Sequence, residues 1–141
     1  MILVDANVLI YAFIEEYPQH KAAQTWLDDQ LSGRTRVGLP WPSLLAFARI
    51  VANPKLSEYP VPTQVAWAQV EAWLTAPPAW IPTPTDRHGE VLASLMPSAT
   101  RFDLFPDAHL AALAIEHGLT MVSTDTDFAR FSGLRWVNPL T

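Results

Sequence analysis

Apolar positions along this chain follow two different periods. Ile2-Leu3-Val4 and Thr120-Met121-Val122 are short, unbroken apolar or β-branched runs, the signature of strands buried on both faces. Arg36 to Leu39, Trp80-Ile81 and Leu134 to Val137 read as further short strands. The intervening stretches carry apolar residues at helical spacing. Gln19 to Leu31 does so through Ala22, Ala23, Trp26 and Leu27. Pro42 to Val51 is a helix stopped at Asn53-Pro54, and Thr63 to Leu74 one with an apolar side of Val65, Val70 and Trp73. Asp86 to Leu95 is another helix, and Pro106 to Glu116 is the clearest, closed by His117-Gly118. Asp5-Ala6-Asn7 can start one more. Strands alternating with longer helices predict an α/β fold of three layers, α/β/α, around a mainly parallel sheet of about four to five strands.

The chain has 141 residues, enough for one domain with a substantial core, and residues 1–141 are read as that domain. Its 13 prolines are scattered at helix starts, helix stops and loops, so they mark no linker. No apolar run approaches the roughly 18 residues that cross a bilayer. The N-terminal MILVDANVLI has no Lys or Arg and has Asp5 inside its apolar stretch, unlike a secretory signal. A cytoplasmic protein without membrane contact is expected. Cysteine is absent, which excludes disulfides and thiolate-bound zinc.

In parallel sheets of this kind, ligands bind beyond the carboxyl ends of the strands. Asp5 directly follows the first strand, and Asp125 follows the strand 120–122 after Ser123-Thr124. Each alone reads as readily as a helix N-cap. Asp107 is different. It stands in the first turn of the helix from Pro106, and its neighbours at plus three, four and seven are Leu110, Ala111 and Ala114. That apolar stripe has to face the sheet, so Asp107 points inward, where an unpaired carboxylate is costly. Two such charges about 4 Å apart repel by roughly 4 kcal/mol at an effective dielectric near 20. A hard divalent ion relieves that cost in an all-oxygen site. Asp127 is either a further ligand, an outer group that orients water, or a first-turn acid favoured by the helix dipole. Asn7 and Ser123 are placed to hydrogen-bond the carboxylates, or to act as ordinary turn residues.

The net charge of −5 runs against the basic excess usual in nucleic-acid binders, unless some of the acids are focused around a cation. Arg49, Arg87, Arg101 and Arg130 are the candidates for phosphate contacts. His20, His88, His109 and His117 show no metal-ligand spacing, and His109 reads as a helix-surface residue. Trp26, Trp67 and Trp73 read as core, Trp41 and Trp80 as partly exposed.

Three stretches, Ile2-Leu3-Val4-Asp5-Ala6-Asn7-Val8-Leu9, Pro106-Asp107-Ala108-His109-Leu110-Ala111-Ala112-Leu113-Ala114 and Ser123-Thr124-Asp125-Thr126-Asp127-Phe128, together resemble the PIN domain. The resemblance is strongest to the VapC toxins of bacterial toxin–antitoxin pairs. Phe47-Ala48-Arg49 before Asn53-Pro54, and Gly133-Leu134-Arg135-Trp136-Val137-Asn138-Pro139, are similar to one VapC subgroup. The resemblance implies a PIN fold and an endoribonuclease dependent on Mg²⁺ (or Mn²⁺). The expected substrate is a tRNA or ribosomal RNA, cut to 5′-phosphate and 3′-hydroxyl ends. It also implies dimerisation and inhibition by a VapB-like antitoxin, whose helix an exposed apolar groove would suit and whose Arg would reach the acidic site. Asp5, Asp107 and Asp125 match metal-binding acids of the family, and Asp127 an additional acid of many members. One departure stands out. Many PIN domains carry a Glu on the helix after the second strand, and here Ser43-Leu44-Leu45-Ala46-Phe47-Ala48-Arg49 holds no acid, Ala46 standing at the expected position. One metal is therefore the expectation, with Asp103, otherwise a cap or loop residue, as a conceivable substitute ligand. A catalytically impaired binding module for RNA or antitoxin is the alternative function. A phosphatase or phospho-receiver would need a Lys near the phosphate, and Lys21 and Lys55 follow no late strand.

Overall fold

A computed structural model describes residues 1–141. Five strands form one sheet: β1 (Ile2–Val4), β2 (Val37–Gly38), β3 (Ala79–Trp80), β4 (Thr120–Val122) and β5 (Trp136–Val137). Their order is β3-β2-β1-β4-β5, and every neighbouring pair is parallel. Six α-helices cover the sheet: α1 (Ala6–Phe13), α2 (His20–Leu31), α3 (Trp41–Ala52), α4 (Thr63–Leu74), α5 (His88–Leu95) and α6 (Phe105–His117). Short 3-10 turns occupy Met96–Ser98, Phe102–Leu104 and Thr126–Arg130.

The two faces of the sheet bury separate cores, as a strand's period of two requires. Val4 and Val122 face one way, into a cluster with Val8, Leu9, Val37, Leu44 and Phe47 from α1, β2 and α3. Leu3 and Met121 face the other way, against Leu110, Ala111 and Leu113 of α6 and Val91 and Leu95 of α5. The three-layer architecture expected from the alternating pattern is therefore present.

The chain leaves β1 in both directions, to β2 on one side and β4 on the other, so the strand order reverses at the β1–β4 boundary. Such a switch point opens a crevice at the strands' carboxyl ends. Pairing of Ile2 with Thr120, Leu3 with Met121 and Val4 with Val122 brings the next residues, Asp5 and Ser123, side by side. The Asp5 amide donates to the Val122 carbonyl at 2.9 Å, which fixes that level. Gly38 allows β2 to sit close to its neighbours: a Cβ there would lie 2.8 Å from Pro82 Cγ and 3.0 Å from the Ile2 carbonyl oxygen. α6 ends on Gly118 in the left-handed region, at φ +67°, where glycine is favoured.

Candidate metal centre

Asp5 does cap a helix. Its Oδ1 accepts from the Ala6 amide at 2.8 Å, at the start of α1. That leaves Oδ2 for the crevice, where it accepts from Ser123 Oγ at 2.7 Å and from Asn7 Nδ2 at 3.4 Å. Asp125 likewise caps the turn Thr126–Arg130 by accepting from the Asp127 amide at 2.8 Å. Capping and membership of an acidic cluster are thus both true of these two residues.

Ser123 is the hub that joins them. It is fully buried. Its Oγ donates to Asp5 and accepts from Asn7 Nδ2 at 3.0 Å and from the Asp125 amide at 3.0 Å. Asn7 Oδ1 accepts from the Thr124 amide at 3.3 Å. Asn7 and Ser123 therefore tie the ends of β1 and β4 together and orient two carboxylates.

Asp107 enters from α6, half-buried, as the apolar stripe of that helix requires: Leu110, Ala111 and Ala114 are all buried. One carboxylate oxygen of each of Asp107, Asp125 and Asp127 lies within 4.8 Å of the others. Burial pushes the Asp107 carboxyl up to about 7, helped by repulsion from Asp125, Asp5, Asp127 and Asp103. Burial also raises Asp5, with Asp125 adding to it, against the lowering bonds from Ser123 and Ala6. The cluster disfavours its own ionisation and is therefore a place where a cation is stabilised.

The donors fit a hard divalent ion. All are carboxylate oxygens. Two oxygens on one Mg²⁺ stand at most about 4.2 Å apart, twice the 2.0–2.1 Å bond length. Oxygens that already lie within 4.8 Å of one another need at most a side-chain adjustment of roughly 0.6 Å to meet that limit. Asp5 stands outside this tightest triple, coupled to it through Ser123 and by charge.

Asp127 is held by two guanidinium groups, a feature the sequence reading did not contain. Arg130 donates to its Oδ1 at 2.9 Å and Arg101 to its Oδ2 at 3.1 Å. The Arg130 bond, with help from Arg101, holds Asp127 below the usual carboxylate range. Arg130 also reaches the Ser98 carbonyl and Thr100 Oγ1, both at 3.3 Å, bolting the turn 126–130 to the segment before α6. The i,i+3 spacing of Asp127 and Arg130 was a visible signal for that pair. The Arg101 contact spans 26 residues and had none. Asp103 is exposed and pairs with Arg101 at 3.1 Å.

Arg49 and Arg87 are not brought to the cluster. Arg49 is exposed on α3 beside a groove of about 870 Å³ between α3 and α4. Arg87 precedes α5 near Thr85 and His88, which bond Glu116 at the opposite end of α6 from Asp107. His109 is not a plain surface residue: it is half-buried and its Nδ1 meets His88 Nε2 at 3.0 Å, while His88 Nδ1 meets Glu116. This chain of groups fastens α5 to α6. Trp67 lies on the surface rather than in the core, stacked on Trp41 at 6.2 Å with the rings nearly parallel.

A family model for the PIN domain matches residues 2–134. The chain belongs to the PIN-domain family. Within it, the chain is 47% identical over 140 residues to Ribonuclease VapC37 of Mycobacterium tuberculosis, covering 99% of this chain and 97% of the relative. Two solved PIN-fold structures superpose over nearly the whole chain. One is FitAcB from Neisseria gonorrhoeae, with a TM-score of 0.70, 23% identity, and coverage of 99% of this chain and 98% of that one. The other is VapBC2 from Rickettsia felis bound to a DNA fragment from their promoter, with a TM-score of 0.69, 17% identity, and coverage of 98% of each chain. At these identities the two structures speak for the PIN fold alone. No helix of this PIN domain is long and apolar enough to cross a membrane.

Proposed function

We propose that this PIN domain is a VapC-type toxin, an endoribonuclease that hydrolyses RNA phosphodiester bonds at a divalent metal held by Asp5, Asp107 and Asp125. The observation that carries the reading is the convergence of carboxylates at the β1–β4 switch point, in a chain 47% identical to a protein named as a VapC ribonuclease. Mg²⁺ is the natural ion for such oxygen ligands, with Mn²⁺ as a substitute. When bound, it supplies a water of lowered pKa and polarises the scissile phosphate.

The protein's own groups do the rest. Asp5 is aimed by Ser123 and by the Ala6 amide, so its free lone pairs face the crevice. Asp107, raised by burial and by the neighbouring acids, would be held ionised by a bound cation, which offsets both. Asp127, kept ionised by Arg130 and Arg101, orients the attacking water and accepts its proton. Arg101, half-exposed beside Asp127, is placed to stabilise the charge that develops on the phosphate oxygens. Arg130, by contrast, acts through Asp127 as a positioning residue.

The partner is a VapB-like antitoxin in the cytoplasm, as the name of the VapBC2 complex suggests. The groove between α3 and α4, lined by Leu45, Ala48, Ala52 and Trp67 and flanked by Arg49 and Glu71, suits the apolar face of an amphipathic helix. The toxin acts as a homodimer on structured RNA of the tRNA or ribosomal class.

The test is cleavage of total RNA by purified protein with Mg²⁺, with Mn²⁺ and with EDTA, followed by sequencing of the new ends. Discrete cuts leaving 5′-phosphates, absent in EDTA and in Asp107→Asn, are expected. Cutting that survives both would refute the reading. The helix α3 offers no acid, and that observation favours a second reading, an RNA- or antitoxin-binding module without turnover. RNA binding with no cleavage under any divalent ion would establish it.

A further inference from the structure

Two aromatic side chains stand open to solvent in the segment between Arg101 and Asp107. Phe102 is 86% exposed and Phe105 is 58% exposed. Single exposed hydrophobics are ordinary. These two share one short turn, and that turn leads directly into the helix that carries Asp107. The turn is fixed at three points. Leu104 is buried beneath it, the Leu104 amide donates to the Arg101 carbonyl at 3.0 Å, and the Phe105 amide donates to the Phe102 carbonyl. The side chain of Arg101, the residue before Phe102, reaches Asp127 in the cluster at 3.1 Å. In a 3-10 turn, residues three apart lie on the same side, separated by about 6 Å along the axis. Phe102 and Phe105 thus stand exposed three residues apart, next to a guanidinium that already touches the site.

We propose that Phe102 and Phe105 are a base-stacking platform, and that with Arg101 they grip unpaired nucleotides next to the scissile bond. The inference rests on the nuclease reading above and deepens it. Stacking of bases on aromatic rings together with a cation on the backbone is the usual means of holding single-stranded nucleic acid. It is also the means open to an acidic protein. The chain carries a net charge of −5, and the two cations that touch the cluster are already engaged by Asp127. Attraction for phosphates alone therefore supplies little, and the stacked rings supply the affinity. Bases paired in a duplex have no free face to offer them.

The test is fluorescence anisotropy in EDTA, with a labelled unstructured RNA of about a dozen nucleotides and the same strand annealed in a duplex as probes. Wild type is expected to prefer the single strand. Phe102→Ala and Phe105→Ala are each expected to weaken single-strand binding by about 5- to 140-fold, the worth of one stacked base. Phe102→Trp is expected to retain it, and the duplex affinity is expected to be unmoved in all three. Both positions are solvent-exposed, so melting temperatures should match wild type, and light scattering should give one unchanged mass. Alanine variants that bind the single strand as wild type does, on a protein that binds and cuts RNA, overturn the platform and leave the nuclease reading standing. A loss of dimer with unchanged RNA affinity also overturns it and assigns the rings to a second copy of the chain. A wild type that neither binds nor cuts RNA overturns both.

Discussion

Replacing Asp107 with Asn should make the metal-free protein more stable, although Asp107 belongs to the proposed active site. In the fold its carboxyl titrates at about 7, against an ordinary value near 3.8. The folded state therefore keeps a proton that the unfolded chain loses from about pH 4 upward. Stability is fully present below about pH 4 and falls as the pH rises from there to about 7, which is the reverse of a salt-bridged aspartate. The full shift would correspond to roughly 4 kcal/mol at 1.36 kcal/mol per unit, but Asp107 is only half-buried and water screens part of it. A second route gives the scale. A pair of carboxylate oxygens 4.8 Å apart repels by about 3.5 kcal/mol at a dielectric near 20 and about 0.9 kcal/mol in water. Asp127 contributes little, since two guanidinium groups neutralise it. A cost of roughly 1–3 kcal/mol at about pH 8 follows, which the amide removes.

The assay is thermal and urea unfolding in EDTA at about pH 5 and about pH 8. Asp107→Asn should raise the melting temperature at pH 8 by roughly 3–10 °C and by less than half as much at pH 5, where folded Asp107 is protonated but the unfolded chain has already lost that proton. Millimolar Mg²⁺ should then stabilise wild type at pH 8, because an ion that binds only the folded state shifts the equilibrium by mass action. The Asn variant should lose most of that response. An Asn variant less stable than wild type at pH 8 in EDTA would refute the electrostatic account of the cluster.

Ser123→Ala removes the donor to Asp5 and the acceptor for Asn7 and Asp125, so a loss of about 1–3 kcal/mol in urea unfolding is expected, together with weaker metal binding by calorimetry. Arg130→Gln should lower RNA cleavage by about 10–100-fold while the Asp127 carboxyl, followed by carbon-detected NMR titration, moves upward. Gly38→Ala forces a Cβ against Pro82 and the Ile2 carbonyl and should cost roughly 1–3 kcal/mol of unfolding free energy.

The parts of the molecule governed by local rules were legible in the sequence. The helix Thr63–Leu74 and the strand Thr120–Val122 have the boundaries read from periodicity, because a helix is set by its own spacing and a doubly buried strand by its unbroken apolar run. The inward orientation of Asp107 followed from the spacing of Leu110, Ala111 and Ala114 alone. Long-range pairings were not legible. The Arg101–Asp127 bond and the His109–His88–Glu116 chain join residues that only the packing of α5, α6 and the turn 126–130 brings together. The last strand came out shorter than Leu134 to Val137, because the Leu134 amide is spent on a turn to Phe131 after Gly133 at φ +83°. Trp67 was misread because α4 carries apolar residues on more than one side. Its outer side stacks with Trp41 to line a groove instead of entering the core.

The charge arrangement at the crevice bears on what the missing acid of α3 means. Arg101 and Arg130 offset Asp127 and Asp103, which leaves Asp5, Asp107 and Asp125 as the uncompensated negative groups. One divalent ion would offset two of those three charges, with carboxylates from β1, α6 and the turn after β4 to hold it and water to complete its shell. A second ion would need further oxygen ligands, and α3 offers none that is acidic: Ser43 is buried without a partner for its hydroxyl and Ala46 has no ligand atom. Its remaining ligands would have to come from the substrate's phosphate. Asp127 meanwhile sits in the tight triple with its charge already balanced by Arg130 and Arg101, which suits an acid that orients a water better than one that anchors an ion. The absence of an acid on α3 is thus compatible with the turnover proposed above: Asp5, Asp107 and Asp125 would hold one ion, and a second would find its ligands only on the substrate.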